Sequence, residues 1–237
     1  MQARILIASA LVLSFCVVVH GETFHLGASA DTILWGNKNN WPETNTTPFG
    51  GRTYLFSFNN DYYNGGYASP VVKFDLTSCA GMTVTADASL SLYLQSHNPS
   101  SFVPGSSQLL TLKSVSQPWD EATATWNQFS SHFNSNPSYD GVRLSSTRVL
   151  TSQEGTYVSW IIPASVIQGW INNPASNNGL LLDPEFRSSN QGNMDFFFSS
   201  REGSMAPQLS LSAVPEPASL SLLALGGLAL IRRHKSK

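Results

Sequence analysis

Cysteine and charge are both scarce in these 237 residues. There are two cysteines, and Cys16 lies in an apolar N-terminal stretch that reads as a cleaved leader, so Cys79 is left alone. No internal disulfide can then form, and the fold must rest on its core. Cys79 sits in LTSCAGMT between two strand-like segments, which predicts a buried, inert thiol. Charged residues make up 12% of the chain, about half the usual share. Residues 22–213 hold eight Lys and Arg against fourteen Asp and Glu, a net charge of −6. That balance excludes nucleic acid and anionic membrane surfaces as main partners. Catalytic signatures are missing too: no HExxH, G-x-S-x-G, P-loop or CxxC pair occurs. The three histidines of residues 22–213, His25, His97 and His132, are far apart in sequence and read as surface loop residues.

Polarity comes instead from Ser, Thr, Asn and Gln, on a frame of strand-like segments. ASLSLYLQ (88–95) sets Ala88, Leu90, Leu92 and Leu94 against Ser89, Ser91, Tyr93 and Gln95, the period of two of a half-buried strand. TYLFSF (53–58) alternates likewise, and further strands are read at 71–76, 109–115, 142–144, 148–150, 157–162, 179–183, 195–200 and 208–213. PASVIQGWIN (163–172) breaks the rhythm. Val166, Ile167, Trp170 and Ile171 share a helical face behind Pro163, so a helix of two turns is expected. About ten short strands without βαβ alternation predict an all-β fold, a jelly-roll-type β-sandwich with one short helix; a barrel is the alternative.

The two ends are different in kind. Arg4, the apolar run Ile5 to Val19 and the small residues before position 22 have the pattern of a secretory signal peptide over residues 1–21, a helix removed on export. The chain closes with VPEPASLSLLALGGLALIRRHKSK. Its apolar run from Ala218 to Ile231 is 14 residues, a hydrophobic helix of about 21 Å against about 30 Å of hydrocarbon. It is short for a permanent span, and the alternative is an ordinary tail anchor. Three regions are expected: signal peptide 1–21, sandwich domain 22–213 and C-terminal segment 214–237.

Between Gly36 and Gly66 lies a segment expected to be loop outside the 53–58 strand, in which Asn, Gly and Thr alternate with aromatics. Rings that stack on sugar C–H faces, beside amides and hydroxyls, are what carbohydrate binding needs. Trp35, Trp41, Tyr62, Tyr63 and Tyr67 form the candidate platform, and Arg52 and Lys38 could pair with the carboxylate of an acidic sugar. The same rings could instead fold back as lids over the sandwich. Asp120 with Glu121, and Asp183 with Glu185, are candidate carboxylate pairs for glycoside hydrolysis, although neighbours on a strand would point apart. The first pair lies between Trp119 and Trp126, read as core aromatics with the acidic run as a connector that satisfies backbone amides. Asp31, Asp61, Asp183 and Asp195 are eligible oxygen ligands for a structural calcium ion.

Several islands occur in a fixed order: ADTIL (30–34), VVKFDL (71–76), TADASLSLYL (85–94), QPWDEATATWN (117–127), YVSW with VIQGWINNPASNNGLLL (157–182), and FFFSSREGSMAPQLSLS (196–212). This order resembles the DNRLRE domain family over nearly all of 28–212. The long 36–66 loop and the Arg201-Glu202 pair behind three Phe depart from that pattern. The resemblance implies a β-sandwich in a secreted or surface protein, some relatives of which are classed as carbohydrate-binding modules for acidic polysaccharide. The tail resembles a PEP-CTERM sorting signal, with Pro215, Glu216 and Pro217 followed by the apolar run and the basic tip at Arg232 and Arg233. That resemblance implies sorting in a Gram-negative-type bacterium. An exosortase-like enzyme would process the tail while its helix sits transiently in the inner membrane. The expected protein is a non-enzymatic one of the cell surface or extracellular matrix that binds extracellular polysaccharide, acidic kinds included. A purely structural surface protein and a polysaccharide-degrading enzyme are the alternatives.

Overall fold

Strand β1 spans Glu22–Asn37 and belongs to two sheets at once. A computed structural model describes residues 21–37, 42–60, 66–98, 107–129, 141–184 and 195–216. Residues Gly21–Glu216 form a compact unit that contains every described strand and both apolar clusters. The expected signal helix, and the tail from Pro217 onward, lie outside the described residues. Among the described residues no helix is long and apolar enough to cross a membrane.

The first half of β1 pairs with β11 (Gln208–Pro215), in the register Glu22 to Ala213 through Gly27 to Gln208. The second half pairs with β3 (Gly66–Phe74), after a bulge between Ala28 and Ala30. The extra residue keeps the inward side inward: Phe24 and Leu26 precede the bulge, and Ile33 and Trp35 follow it, all packed on one core. One sheet continues from β11 to β5 (Ala88–His97) and β8 (Tyr157–Ile162), with β4 (Met82–Val84) beside the end of β11. The other continues from β3 to β9 (Leu180–Asp183), β6 (Ser107–Ser114) and β7 (Arg143–Leu150). Strands β2 (Tyr54–Asn60) and β10 (Phe196–Ser199) bridge β3 to β5 and join the two sheets at their other side.

The layers are held by the alternation read from the sequence. Leu90, Leu92 and Leu94 are fully buried, as are Leu110, Leu112, Trp160 and Phe198. Trp160 crosses the core and donates its indole N–H to the Leu110 carbonyl at 3.0 Å, so the buried donor is satisfied. After a single helical turn, α1 (Trp126–Phe129), helix α2 (Ala164–Asn172) follows Pro163 and buries Ile167, Trp170 and Ile171. Cys79 is fully buried, and burial raises its thiol pKa, as an inert cysteine requires.

The strand readings differ from the structure in four places. Segments 142–144 and 148–150 are one strand, β7. Strand β4 and most of β1 carry too little alternating apolar surface to stand out. The 36–66 region is less of a loop than expected: β1 enters it, β2 reaches Asn60, and a 3-10 turn covers Pro42–Asn45. Strand β11 runs two residues past 213 and ends at Pro215, paired to Met82.

Candidate glycan-binding site

Tyr54, Phe56 and Phe58 alternate along one side of β2, and pairing adds more rings to the row. Phe197 of β10 lies opposite Phe56. Ala68 of β3 lies between Phe58 and Trp35, since it is the partner of both. That small residue lets the flanking rings meet: Trp35 is 6.3 Å from Phe58 and 5.2 Å from Phe56, both edge-on. Phe56 and Phe58 stack at 5.5 Å with planes 13° apart. Phe197 contacts Phe56 at 5.9 Å and Tyr54 at 5.8 Å. Phe49, from the segment before β2, packs on Trp35 at 5.3 Å. Phe49 and Phe56 are buried, while Trp35, Tyr54, Phe58 and Phe197 are half-buried. The Trp35 indole N–H is buried without a hydrogen-bond partner among the described residues. Such an orphan costs about 1–3 kcal/mol in a core.

Arg52 lies at the edge of this row, exposed. Its guanidinium sits 5.0 Å from the Phe49 ring centre and 5.7 Å from that of Tyr54, and it donates to the Tyr54 hydroxyl at 2.7 Å. Its charge meets rings and a phenol; among the described residues it has no carboxylate partner.

Of the seven residues singled out in the sequence, Trp35 and Arg52 therefore share one cluster. Tyr67 does not join them. It lies opposite Gly36 in the register, on the other side of the sheet from Trp35, and stacks on Trp126 at 6.2 Å and 16°. Trp126 covers Gly36 so closely that a Cβ there would land in its ring, and Leu34, Val71 and Leu181 complete this small second core. Trp41, Tyr62 and Tyr63 lie outside the described residues, as does Lys38. The rings that sequence reading missed, Tyr54, Phe56, Phe58 and Phe197, stand in segments that were read as strands, but their pairing across β2 and β10 was not visible.

The carboxylates tell a different story. Asp31 is 1% exposed on β1 and accepts the Arg201 backbone N–H at 2.6 Å. The Arg201 side chain reaches Glu121 at 2.8 Å, Glu202 at 2.6 Å and the Ser29 carbonyl at 2.9 Å. Three sequence islands, ADTIL, WDEATATWN and SSREG, thus converge on one clasp. Burial pushes the Asp31 carboxyl up to about 7; the Arg201 N–H opposes the shift, and the Glu202 and Glu121 charges add to it. Asp31, Glu121 and Glu202 bring their oxygens within 4.8 Å of one another, but the Arg201 guanidinium already bonds both glutamates. The expected calcium set does not assemble among the described residues. Asp183 pairs with Lys113, and Asp195 accepts from Asn98 at 3.2 Å and is raised by burial. Asp61 lies outside the described residues.

Nor does the Asp120–Glu121 pair hold together as a hydrolytic pair. Asp120 caps a turn through Ala122 N–H and Thr123, as a connector should, while its neighbour Glu121 turns to Arg201. The segment is a turn rather than a strand. Trp126 is buried and Trp119 half-buried, its indole bonded to the Asn178 carbonyl. Glu185 lies outside the described residues. His25 and His97 stand on strands β1 and β5 rather than in loops: His25 bonds Ser210 and His97 faces Glu154 at 2.8 Å. His132 is outside the described residues.

A family model for carbohydrate-binding module family 96 matches residues 28–213, and one for the PEP-CTERM protein-sorting motif matches residues 213–236. The DNRLRE name suggested by the sequence islands does not come with these matches. Compared with the curated proteins, the sequence has no match. The matched module takes in both apolar clusters, the aromatic row and the clasp, so the chain belongs to carbohydrate-binding module family 96 and ends in a protein-sorting motif.

Proposed function

We propose that this chain is an exported, non-enzymatic protein of the cell surface or extracellular matrix whose module binds an acidic polysaccharide at the Trp35–Arg52 cluster. The observation that carries this reading is a guanidinium resting on ring faces, with no carboxylate partner among the described residues. Half-buried rings offer C–H stacking, and the fork of Arg52 matches a uronate carboxylate in two parallel hydrogen bonds. Trp41, Tyr62 and Tyr63 extend the platform in this reading, since they follow Trp35 and Phe58 closely in the chain. Tyr67 supports the scaffold through Trp126.

Delivery follows from the ends. Residues 1–21 act as a signal peptide, and an exosortase-like enzyme processes the segment 214–237. The basic tip at Arg232 and Arg233 stays on the cytoplasmic side while the short helix pauses in the inner membrane. In this reading Pro215, Glu216 and Pro217 are the signal that enzyme reads where the chain leaves β11, whose last pair is Pro215 with Met82.

The test is titration of Gly21–Glu216 with polyuronates and their neutral analogues. Saturable binding to a polyuronate should weaken at least tenfold in Arg52→Ala and fall as salt rises. Unchanged binding in Arg52→Ala would remove the site. Burial of Phe49 and Phe56 supports the second reading, in which the rings form a lid and the protein is purely structural; absence of binding to every glycan would favour it.

A further inference from the structure

The sheet formed by the first half of β1 with β11, β5 and β8 presents an outward face of unusual chemistry. Its register fixes which residues share that face. His25 lies opposite Ser210, Ser210 opposite Ser89, and Ser89 opposite Ile161. One row along, Gln208 lies opposite Ser91 and Ser91 opposite Ser159. Next, Tyr93 faces Tyr157. The intervening residues, such as Leu90, Leu209 and Trp160, are fully buried on the inner side. No Lys, Arg, Asp or Glu occurs at any of these outward positions, in a domain of net charge −6.

Neighbouring strands lie about 4.8 Å apart, and same-face residues recur about every 6.7 Å along a strand. The face is therefore a grid of hydroxyl and amide groups. Cross-strand bonds hold them in place: Ser91 to Ser159 at 2.8 Å, His25 to Ser210 at 2.9 Å, and the Gln208 amide to the Tyr157 hydroxyl at 3.0 Å. Each serine hydroxyl can donate once and accept twice, so one bond leaves it able to bind further. The Tyr93 and Tyr157 rings meet edge-on at 5.4 Å and supply an apolar surface for sugar C–H groups.

We propose that this face is a second binding surface, and that its ligand is a neutral polysaccharide. Charge complementarity selects the ligand. A polyanion would lose hydration to a face without a lysine or arginine. A protein partner would need an apolar centre, and Ile161, 52% exposed, is the only large aliphatic side chain in these rows. A neutral chain of hydroxyls and C–H faces matches the grid group for group. This surface draws on β1, β11, β5 and β8, and none of the residues assigned to the acidic-glycan cluster belongs to it.

The unit Gly21–Glu216 would be run in native gels containing hydroxyethylcellulose, galactomannan or agarose, with a polyuronate gel in parallel. Retardation by at least one neutral polysaccharide is expected. Tyr157→Ala and Ser159→Lys should each weaken it at least tenfold while polyuronate binding stays as it was. Ser159 is exposed, so its lysine variant reads out the face even if Tyr157→Ala melts early. Absence of retardation by every neutral polysaccharide overturns the proposal. So does neutral binding that survives both substitutions, or that disappears only in Arg52→Ala, which would move the neutral ligand to the aromatic row. Loss of polyuronate binding alone in Arg52→Ala bears on the first site and leaves this one standing.

Discussion

Replacing Asp31 by asparagine should make the protein more stable at neutral pH and flatten its pH dependence. Asp31 is 1% exposed, and its carboxyl is raised from an ordinary 3.8 to about 7. The folded state therefore holds a proton that the unfolded chain releases above about pH 4. Between about pH 4 and pH 7 the folded state binds more protons, so stability must fall as pH rises through that window. At about 1.4 kcal/mol per pH unit, the displacement corresponds to roughly 4 kcal/mol, an upper bound because the clasp can relax. Asparagine keeps an oxygen for the Arg201 N–H and cannot ionise. Urea unfolding of Gly21–Glu216 and its Asp31→Asn variant from pH 4 to pH 8 provides the measurement. The curves should nearly coincide at pH 4 and separate by 1–4 kcal/mol at pH 8, with the variant above. Parallel curves would refute the argument, as would a variant destabilised throughout. Parallel curves would mean that folding does not shift the Asp31 carboxyl, and a variant that falls further below the wild type as pH rises would mean that Asp31 is bonded to Arg201 as a carboxylate.

Gly36→Ala should lower stability by about 1–3 kcal/mol, because its Cβ would enter the space of the Trp126 ring; thermal melting checks this. Trp160→Phe should cost about 1–3 kcal/mol through the unpaired Leu110 carbonyl and the lost volume, read by denaturant midpoint. Cys79 should resist thiol reagents in the folded protein and react promptly in denaturant, a difference seen with a chromogenic disulfide. Arg201→Ala should cost about 1–2 kcal/mol by leaving Glu121 and Glu202 facing each other, with part of the loss restored at high salt.

The strands of this fold were legible where burial is one-sided. ASLSLYLQ and YVSWII alternate because one side faces the core, and helix α2 was marked by Pro163 and its apolar stripe. Strand β1 was not legible, because Gly27, Ala28, Ser29 and Ala30 interrupt its pattern at the bulge where it changes sheets. The candidate cluster was legible in part. Trp35 and Arg52 stood out as an aromatic and a cation in a polar segment, and the structure brings them together. Tyr67 looked equivalent in sequence, but its position opposite Gly36 turns it to the other side of the sheet, a consequence of register that no local pattern carries. The clasp was invisible for the same reason: Asp31, Glu121 and Arg201 lie far apart in the chain.

The pairing of β1 with β11 also determines how the molecule answers a pull. Glu22 lies opposite Ala213, so the first and last strands run side by side in opposite directions, and β11 is gripped by β5 and β4 on its other side. If the C-terminal end is tethered while a bound polymer drags on the body, the tension runs along β11. Its ladder bonds lie across that direction and are strained together rather than peeled in sequence. The strand that leads out to the sorting motif is thus fastened as a shear joint.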